Sequence, residues 1–532
     1  MPPASARPTL PERSRSLWHA GPDPDTFPSM VGDVTVDVAV VGAGITGLST
    51  AVALHRAGLR VAVLEARRIG AVTSGNTTGK LSLLQGTRAA TLAARHPQRL
   101  VEAYLDAHRA GMDWLAARAD GVDCGFEWRP AVTYTVAGRN GSAAEAIRAE
   151  ASALRRAGLP AELATDGPAG DLPYAVSEAV TLPDQAQFDP VRYLADLARE
   201  LVDAGQGVYE RTRIRSVSRA ASLPGAAGRT PELRTDRGRV RADRVVLATG
   251  APVLDRGLHF ARLEPARSYA QAVRLTDESV LPEGMYLSAD DPSVSIRTVA
   301  TVGGRLLLVG GFGHRVGAAR ATSTSVHERA LADWTVARWP VAGITHRWSA
   351  QDYVPEDGLP FVGAMPLQPR VLVATGFAKW GLTGGTAAGI ALRDHVLGQE
   401  NPWAAAFAAD RAPAARSLPQ LARANGQVAR HMVGGWVRPD LPTAAPFGEG
   451  EGRVETTVRG KVGRCRVDGV EHAVGAVCPH LGGILRWNDA ERSWDCPLHG
   501  SRFAATGEVL EGPATEDLGD PPGLSRVVRP RS

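Results

Sequence analysis

Cysteine is sparse in this chain: Cys124, Cys465, Cys478 and Cys496 are the only four among 532 residues. So few thiols cannot staple a chain of that length, which excludes a disulfide-dense secreted scaffold and leads us to expect a reducing compartment. Lysine is scarcer still (Lys80, Lys379 and Lys461), so nearly all the positive charge is arginine. That bias reads as a GC-rich coding sequence rather than a surface built for nucleic acid, and the net charge of +4 is small for the length. Long apolar runs are missing as well, and none approaches the roughly 20 residues that a membrane-spanning helix needs. The first 30 residues are rich in Pro, Arg and Ser with no apolar h-region, so no secretory signal is read there. Residues 1–32 are expected to form a flexible tail that becomes ordered near Leu17 and Trp18. The expectation is a cytoplasmic protein with no nucleic-acid partner and no membrane span. The 44% hydrophobic and 22% charged residues are those of an ordinary globular protein, long enough for two or three domains.

The most informative stretch is Asp37 to Glu65, DVAVVGAGITGLSTAVALHRAGLRVAVLE. Val38–Val41 is a short β-branched apolar run, as a buried parallel strand requires. Gly42, Gly44 and Gly47 follow in the spacing G-x-G-x-x-G, then an apolar helical pattern stopped by Gly58, then a second strand ending in Glu65. Gly42 suits the tight turn, Gly44 lets backbone approach a pyrophosphate, and Gly47 lets the helix pack closely on the strand. The helix N-terminus offers free N–H groups to phosphate, and Glu65 is spaced to accept hydrogen bonds from a ribose. A lone glycine motif would be weak evidence. With strand, helix, second strand and terminal acid in order, the stretch reads as a dinucleotide site.

Downstream, Arg67 and the cluster Thr73, Ser74, Thr77 and Thr78 read either as a second phosphate cradle or as a polar loop opening a helix. Helical spacing runs over 88–119, 142–157 and 190–203, and an alternating strand over 126–136. The strand Ala242–Leu247 ends in Ala-Thr-Gly250 and returns the chain to the dinucleotide sheet. Residues 260–345 carry alternating segments that read as a separate antiparallel sheet. Arg370–Thr375 is a further strand leading through Gly376, Phe377, Ala378, Lys379, Trp380, Gly381, Leu382, Thr383 and Gly384 into a helix. This second glycine-rich junction again aims a helix N-terminus at an electron-rich ligand.

GAGITGLSTA with Glu65, the VVLATG strand, and DGLPFVG followed by ATGFAKWGLTGG resemble the FAD-dependent amine and amino-acid oxidoreductases of the D-amino-acid oxidase and glycine oxidase type. The likeness spans about residues 35–398. It implies an α/β FAD-binding domain, doubly wound and glutathione-reductase-like, in parts at about 33–125, 180–258 and 346–398. An antiparallel substrate domain would occupy about 126–179 and 259–345. Gly250, Gly376, Gly381, Leu382, Thr383 and Gly384 would then lie near the flavin, and Lys379, Trp380, Arg297, His314 and Asp352 on its substrate side. Relatives acting on α-amino acids often hold the carboxylate with two arginines. Arg297 matches one by position, while the second falls at 351–353, where no arginine stands and Asp352 would either suit a cationic amine or cap or pair with another part of the chain. No cysteine lies between 124 and 465, so a cysteine-linked flavin near the ring is excluded and FAD is expected to bind non-covalently.

Residues 399–440 read as a helical connector. Beyond it, Cys478-Pro-His480 and Cys496-Pro-Leu-His499 form C-x-H and C-x-x-H separated by 15 residues. Zinc fingers group cysteines first and histidines second, whereas here each loop offers one thiolate and one imidazole. That interleaving lets two thiolates hold one iron and two histidines the other, the Rieske [2Fe–2S] arrangement. CPHLG, CPLHGSRF and the GEVLEGP return resemble Rieske domains, which implies an all-β domain over 441–532. Respiratory-type Rieske domains add a disulfide pair, and Gly483 and Leu498 stand at those two positions here.

Together the two likenesses imply that FAD oxidises a C–N bond of an amine or amino-acid-like substrate. Electrons would then leave singly through the cluster to a one-electron acceptor protein. Two alternatives stand beside this: a reductase running carrier-to-FAD, or an oxygen-using amine oxidase whose Rieske domain only docks or braces. A reductase fed by NAD(P)H should show a second complete G-x-G-x-x-G unit, and none is visible.

Overall fold

The structure, a computed structural model, describes residues 9–21, 26–167, 171–218, 230–253, 258–317, 323–413, 415–437, 440 and 446–522. Its framework is an eight-stranded sheet whose middle strands are parallel. Val34–Val41 lies between Arg239–Leu247 and Val61–Leu64, both parallel to it. Gln368–Thr375 continues the sheet on one side and Gly207–Tyr209 on the other. The helix Ile45–Arg56 leaves the first strand at Gly44 and is buried over its first ten residues. It packs against the helix Gly381–Leu397 at glycine distance: a Cβ on Gly385 would lie 2.3 Å from Thr46 Oγ1.

The second sheet has nine strands, with Val341–Pro355 at one end of the path, then Leu263–Leu275, Gly304–Arg315 and Val294–Thr301. It is antiparallel except where Met285–Ser288 runs parallel to Glu127–Thr135. Strand alternation divides its side chains. Trp348, Ala350 and Asp352 pair with Ala270, Ser268 and Ala266, and so share one face. Gln351 and His314 both pair with Arg267 and share the opposite face. The C-terminal part is all β, with three strands between Gly452 and Gly475 and four between Arg486 and Glu511.

Several elements differ from the sequence expectation, each for a local reason. The helical stretch 88–119 is broken into Arg88–Ala93 and Gln98–Ala119, because Pro97 cannot continue the first helix. Gly207–Tyr209 and Ser216–Val217 are two short strands, separated where Arg211 takes a left-handed φ of 47°. Val341–Pro355 belongs to the second sheet along its whole length, past the boundary read at 345. Of the N-terminal stretch, 1–8 and 22–25 lie outside the described residues, as does 523–532 at the other end. Residues 11–19 are held in place: Arg347 donates to the carbonyls of Pro11 and Glu12, and Trp18 is buried with its indole on Thr77 O at 2.7 Å. Among the described residues no helix is long and apolar enough to cross a membrane.

Among the described glycines the one with least room for a side chain lies inside the glycine motif. A Cβ on Gly47 would stand 1.9 Å from Gly42 O, so the helix can sit this near its strand only without a side chain. Gly47→Ala should therefore push helix and turn apart, costing about 1–3 kcal/mol as overpacking does. Thermal unfolding and flavin content of the purified variant would check this, both being expected to fall.

Candidate functional site

Gly42 opens the site with φ of 103°, a conformation open to glycine, and its backbone crosses Ala248 so closely that a Cβ would lie 2.5 Å from that carbonyl. Gly44 faces Ser74, whose Oγ would be 2.9 Å from a Cβ there and which accepts the Ile45 N–H at 3.1 Å. Glu65 receives the N–H groups of Ala43 and Arg67 at 2.9 and 2.8 Å. Burial raises its pKa and those two donors pull it back. These groups open onto a long cleft together with Arg67, Thr73, Thr77, Gly250, Gly381 and Leu382. The bare backbone at Gly42 and Gly44, the helix N-terminus beyond and the acid at the next strand end fit FAD. Neither cysteine nor histidine is among the lining residues.

At the far end of the cleft the chain is strained. Gly376, Ala378 and Lys379 have φ of 81°, 50° and 76°, and two of them carry side chains. Asp352 holds this turn by accepting the Lys379 N–H, and it also accepts the Tyr353 N–H at 2.7 Å. Burial raises the Asp352 pKa against these donors. Lys379 lines the cleft and remains an exposed residue; the protein packed around its amine lowers its pKa by desolvation, against the opposing pull of Asp352. Such strain at a cleft wall is common where geometry serves function.

The two cysteine–histidine loops fold alike. Cys478 N–H donates to Gly483 O and Gly482 N–H to Cys478 O; likewise Cys496 N–H donates to Ser501 O and Gly500 N–H to Cys496 O, all within 3.1 Å. This brings the two thiols into hydrogen-bond contact and the rings of His480 and His499 to 5.2 Å between centroids. The Cys496 S–H donates to Cys478, holding its pKa down to about 6, while that of Cys496 is raised. Among the described residues no group of three or more His, Cys, Asp or Glu is placed for a single metal ion. A cluster whose two irons each take two protein ligands asks for none, and this donor set fits it.

A family model described as FAD dependent oxidoreductase matches residues 37–395, and one described as Rieske [2Fe-2S] domain matches residues 449–522. The chain belongs to the FAD-dependent oxidoreductase family. It carries a C-terminal Rieske domain, and the two parts bind FAD and a [2Fe–2S] cluster respectively. YhfW of Bacillus subtilis (strain 168), described as a Rieske 2Fe-2S iron-sulfur protein, is 33% identical over 515 residues, covering 95% of this chain and 97% of that one. The fold is similar to that of glycine oxidase from Geobacillus kaustophilus, with a TM-score of 0.58 and 22% identity over 72% of this chain and all of that one. It is likewise similar to L-amino acid deaminase from Proteus vulgaris, with a TM-score of 0.58 and 16% identity over 73% of this chain and all of that one.

Several residues that the sequence singled out do not line the flavin cleft. Gly47 is internal to the motif, and Thr78 packs toward Gly310. Thr383 and Gly384 pack on His108, and Gly376 on Pro355. Trp380 is the N-cap of its helix. Arg297 is buried under Trp18, its guanidinium 5.2 Å from that ring, and donates to Phe188 O. Burial lowers its pKa to about 9. His314 faces away, on the Arg267 side of the sheet, in a mutual stack with Tyr269 and His327. Conversely, sequence reasoning missed Thr212–Ile214, Tyr353, Phe377 and the run from Leu510 to Thr515 as cleft walls. The last of these lies partly in the GEVLEGP return, which marks a Rieske domain and carries no flavin signal.

Leu498 packs onto Gly483, where a Cβ would meet Leu498 Cδ1 at 2.7 Å, so apolar contact stands where respiratory-type domains place a disulfide. Ser501 shares a hydrogen bond with Cys478 and accepts the Ala514 N–H at 3.1 Å. Hydrogen bonds to the ligand sulfurs raise cluster potentials, which for Rieske centres span about −150 to +300 mV. Ser501→Ala should lower the midpoint potential without loss of FAD, and the wild type should titrate below the top of that span. Potentiometry followed by EPR is the check.

Proposed function

We propose that the chain oxidises a C–N bond of an amine or amino-acid-like substrate and passes the electrons singly through its own cluster to an external acceptor protein. The supporting observation is a shared wall: Leu510, Glu511, Gly512, Ala514 and Thr515 of the Rieske part line the same cleft as Gly42, Gly44 and Glu65. When bound, FAD supplies two-electron hydride acceptance and the [2Fe–2S] centre one-electron transfer. The chain's own residues bind, orient and move the proton. Gly42, Gly44, Ser74 and the helix N-terminus would hold the pyrophosphate, and Glu65 a ribose. Asp352, fixed by two N–H groups, has lone pairs left to hold a cationic amine against the flavin. Lys379, with its lowered pKa, can take the proton that an ammonium substrate must lose before oxidation. The glycine oxidase and L-amino acid deaminase folds support a nitrogen-bearing substrate, and the buried position of Arg297 favours the amine end over the carboxylate as the anchor.

Two experiments address this reading. Cys478→Ala removes a thiolate ligand that plays no part in the FAD site. Substrate should still bleach its flavin at a near-normal rate while turnover with a one-electron acceptor protein collapses. Turnover at the wild-type rate would take the cluster off the electron path. The second concerns pH. Because Lys379 must be neutral to accept the proton and its pKa is lowered, bleaching at saturating substrate should rise with pH through a value below the ordinary lysine 10.5. Lys379→Met should flatten that limb, and a limb left intact would assign it to another group.

A further inference from the structure

The two histidine ligands are not equivalent. Phe260 meets both rings edge-on, at 4.9 Å from His499 and 5.9 Å from His480, but His499 is buried whereas His480 is half-buried and its neighbours Pro479 and Leu481 are exposed. Beside His480 runs the helix Leu418–Val437, which has no buried residue along its length. Its Trp436 indole donates to Gly482 O at 3.0 Å, two residues from His480. Around this point Val433, Trp436, Val437 and Leu481 are 64%, 50%, 75% and 40% exposed. Arg416, Arg423 and Arg430 are also exposed, and none of the three is in an ion pair among the described residues. Between Asp410 and Asp440 the sequence has five arginines and no carboxylate side chain.

We infer that this patch docks a small acidic one-electron carrier protein, with His480 as the exit toward it and His499 turned to the flavin side. The inference rests on the electron path proposed above and adds the place and charge of the partner. The carrier gains the one electron that the cluster loses, and no bond is made or broken. The composition is that of an interface core, with Trp and Arg present and Lys, Glu and Asp absent. A helix lying in a lipid surface would carry bulky apolar groups along its whole stripe. Here the stripe starts at the exposed Leu418, is small through Ala422, Gly426 and Ala429, and carries adjacent bulky groups at Val433, Trp436 and Val437, where the cluster loop lies. Bulk concentrated at the redox ligand favours a protein partner, and unpaired arginines at the rim favour an acidic one.

The test uses the full holoprotein, an acidic plastocyanin as probe and basic cytochrome c as control. Calorimetry on the oxidised protein should show the acidic carrier bound at least tenfold more tightly than the basic one, with affinity falling as salt rises. Val433→Asp and Arg423→Glu, both at exposed positions, should each weaken that binding about tenfold while leaving the cluster EPR signal and flavin content unchanged. In stopped flow, a dithionite-reduced cluster should pass its electron to plastocyanin more slowly in both variants. Unchanged affinity in both variants, or a preference for the basic carrier, overturns the proposal. So does wild-type sedimentation with anionic vesicles that Val433→Asp abolishes, since that assigns the patch to a membrane surface. If dithionite-reduced cluster reduces plastocyanin but substrate never reduces the cluster, the docking site stands and the substrate-to-cluster path fails.

Discussion

The side-chain amide of Gln351 is buried between the flavin part and the Rieske part, and its partners come from both. Its oxygen accepts from Arg267 at 3.0 Å; its nitrogen donates to Gly500 O at 2.8 Å and to the Tyr353 hydroxyl at 3.0 Å. Tyr353 in turn donates to Gly512 O at 3.3 Å, and Arg267 stands 3.6 Å from Asp495. Burial alone would raise the Asp495 pKa, but Arg502 and Arg267 outweigh it and hold the carboxylate charged. A buried polar seam of this kind adds little net stability yet tolerates few arrangements, because each unmade bond would cost about 1–3 kcal/mol. It fixes how the cluster loops sit against the flavin cleft.

The same strand serves both cofactor sites through the two-residue alternation of a β-strand. Gln351 points to the cluster loops, Asp352 to the cleft, and Tyr353 again to the Gln351 side, where its ring reaches the cleft wall near Gly250. A one-residue slip would exchange these roles. The long pairing of Val341–Pro355 with Leu263–Leu275, which continues through two irregularities, guards against that slip. Arg213 and Arg215 add a second tie from the cleft's other wall, donating to Val509 O at 2.8 Å and Thr515 O at 2.6 Å.

The sequence by itself determined what is local. The glycine spacing at 42–47, Glu65 at the next strand end and the interleaved Cys478, His480, Cys496 and His499 are short-range patterns, because a turn, a helix start or a ligand loop is built from neighbours in the chain. The cofactors and the fold class follow from these. Only the tertiary structure decided which distant residues meet. Arg297 and His314 sit on alternating strands, where sequence gives a period but not which face looks at the flavin; one is sealed under Trp18 and the other turned to Arg267. Thr212–Ile214 and the Leu510–Thr515 run reach the cleft only because separate domains pack together, and no local pattern encodes a contact between residues some 300 positions apart. Gln351 could not be singled out for the same reason: a buried amide takes its meaning from the partners that tertiary packing brings to it.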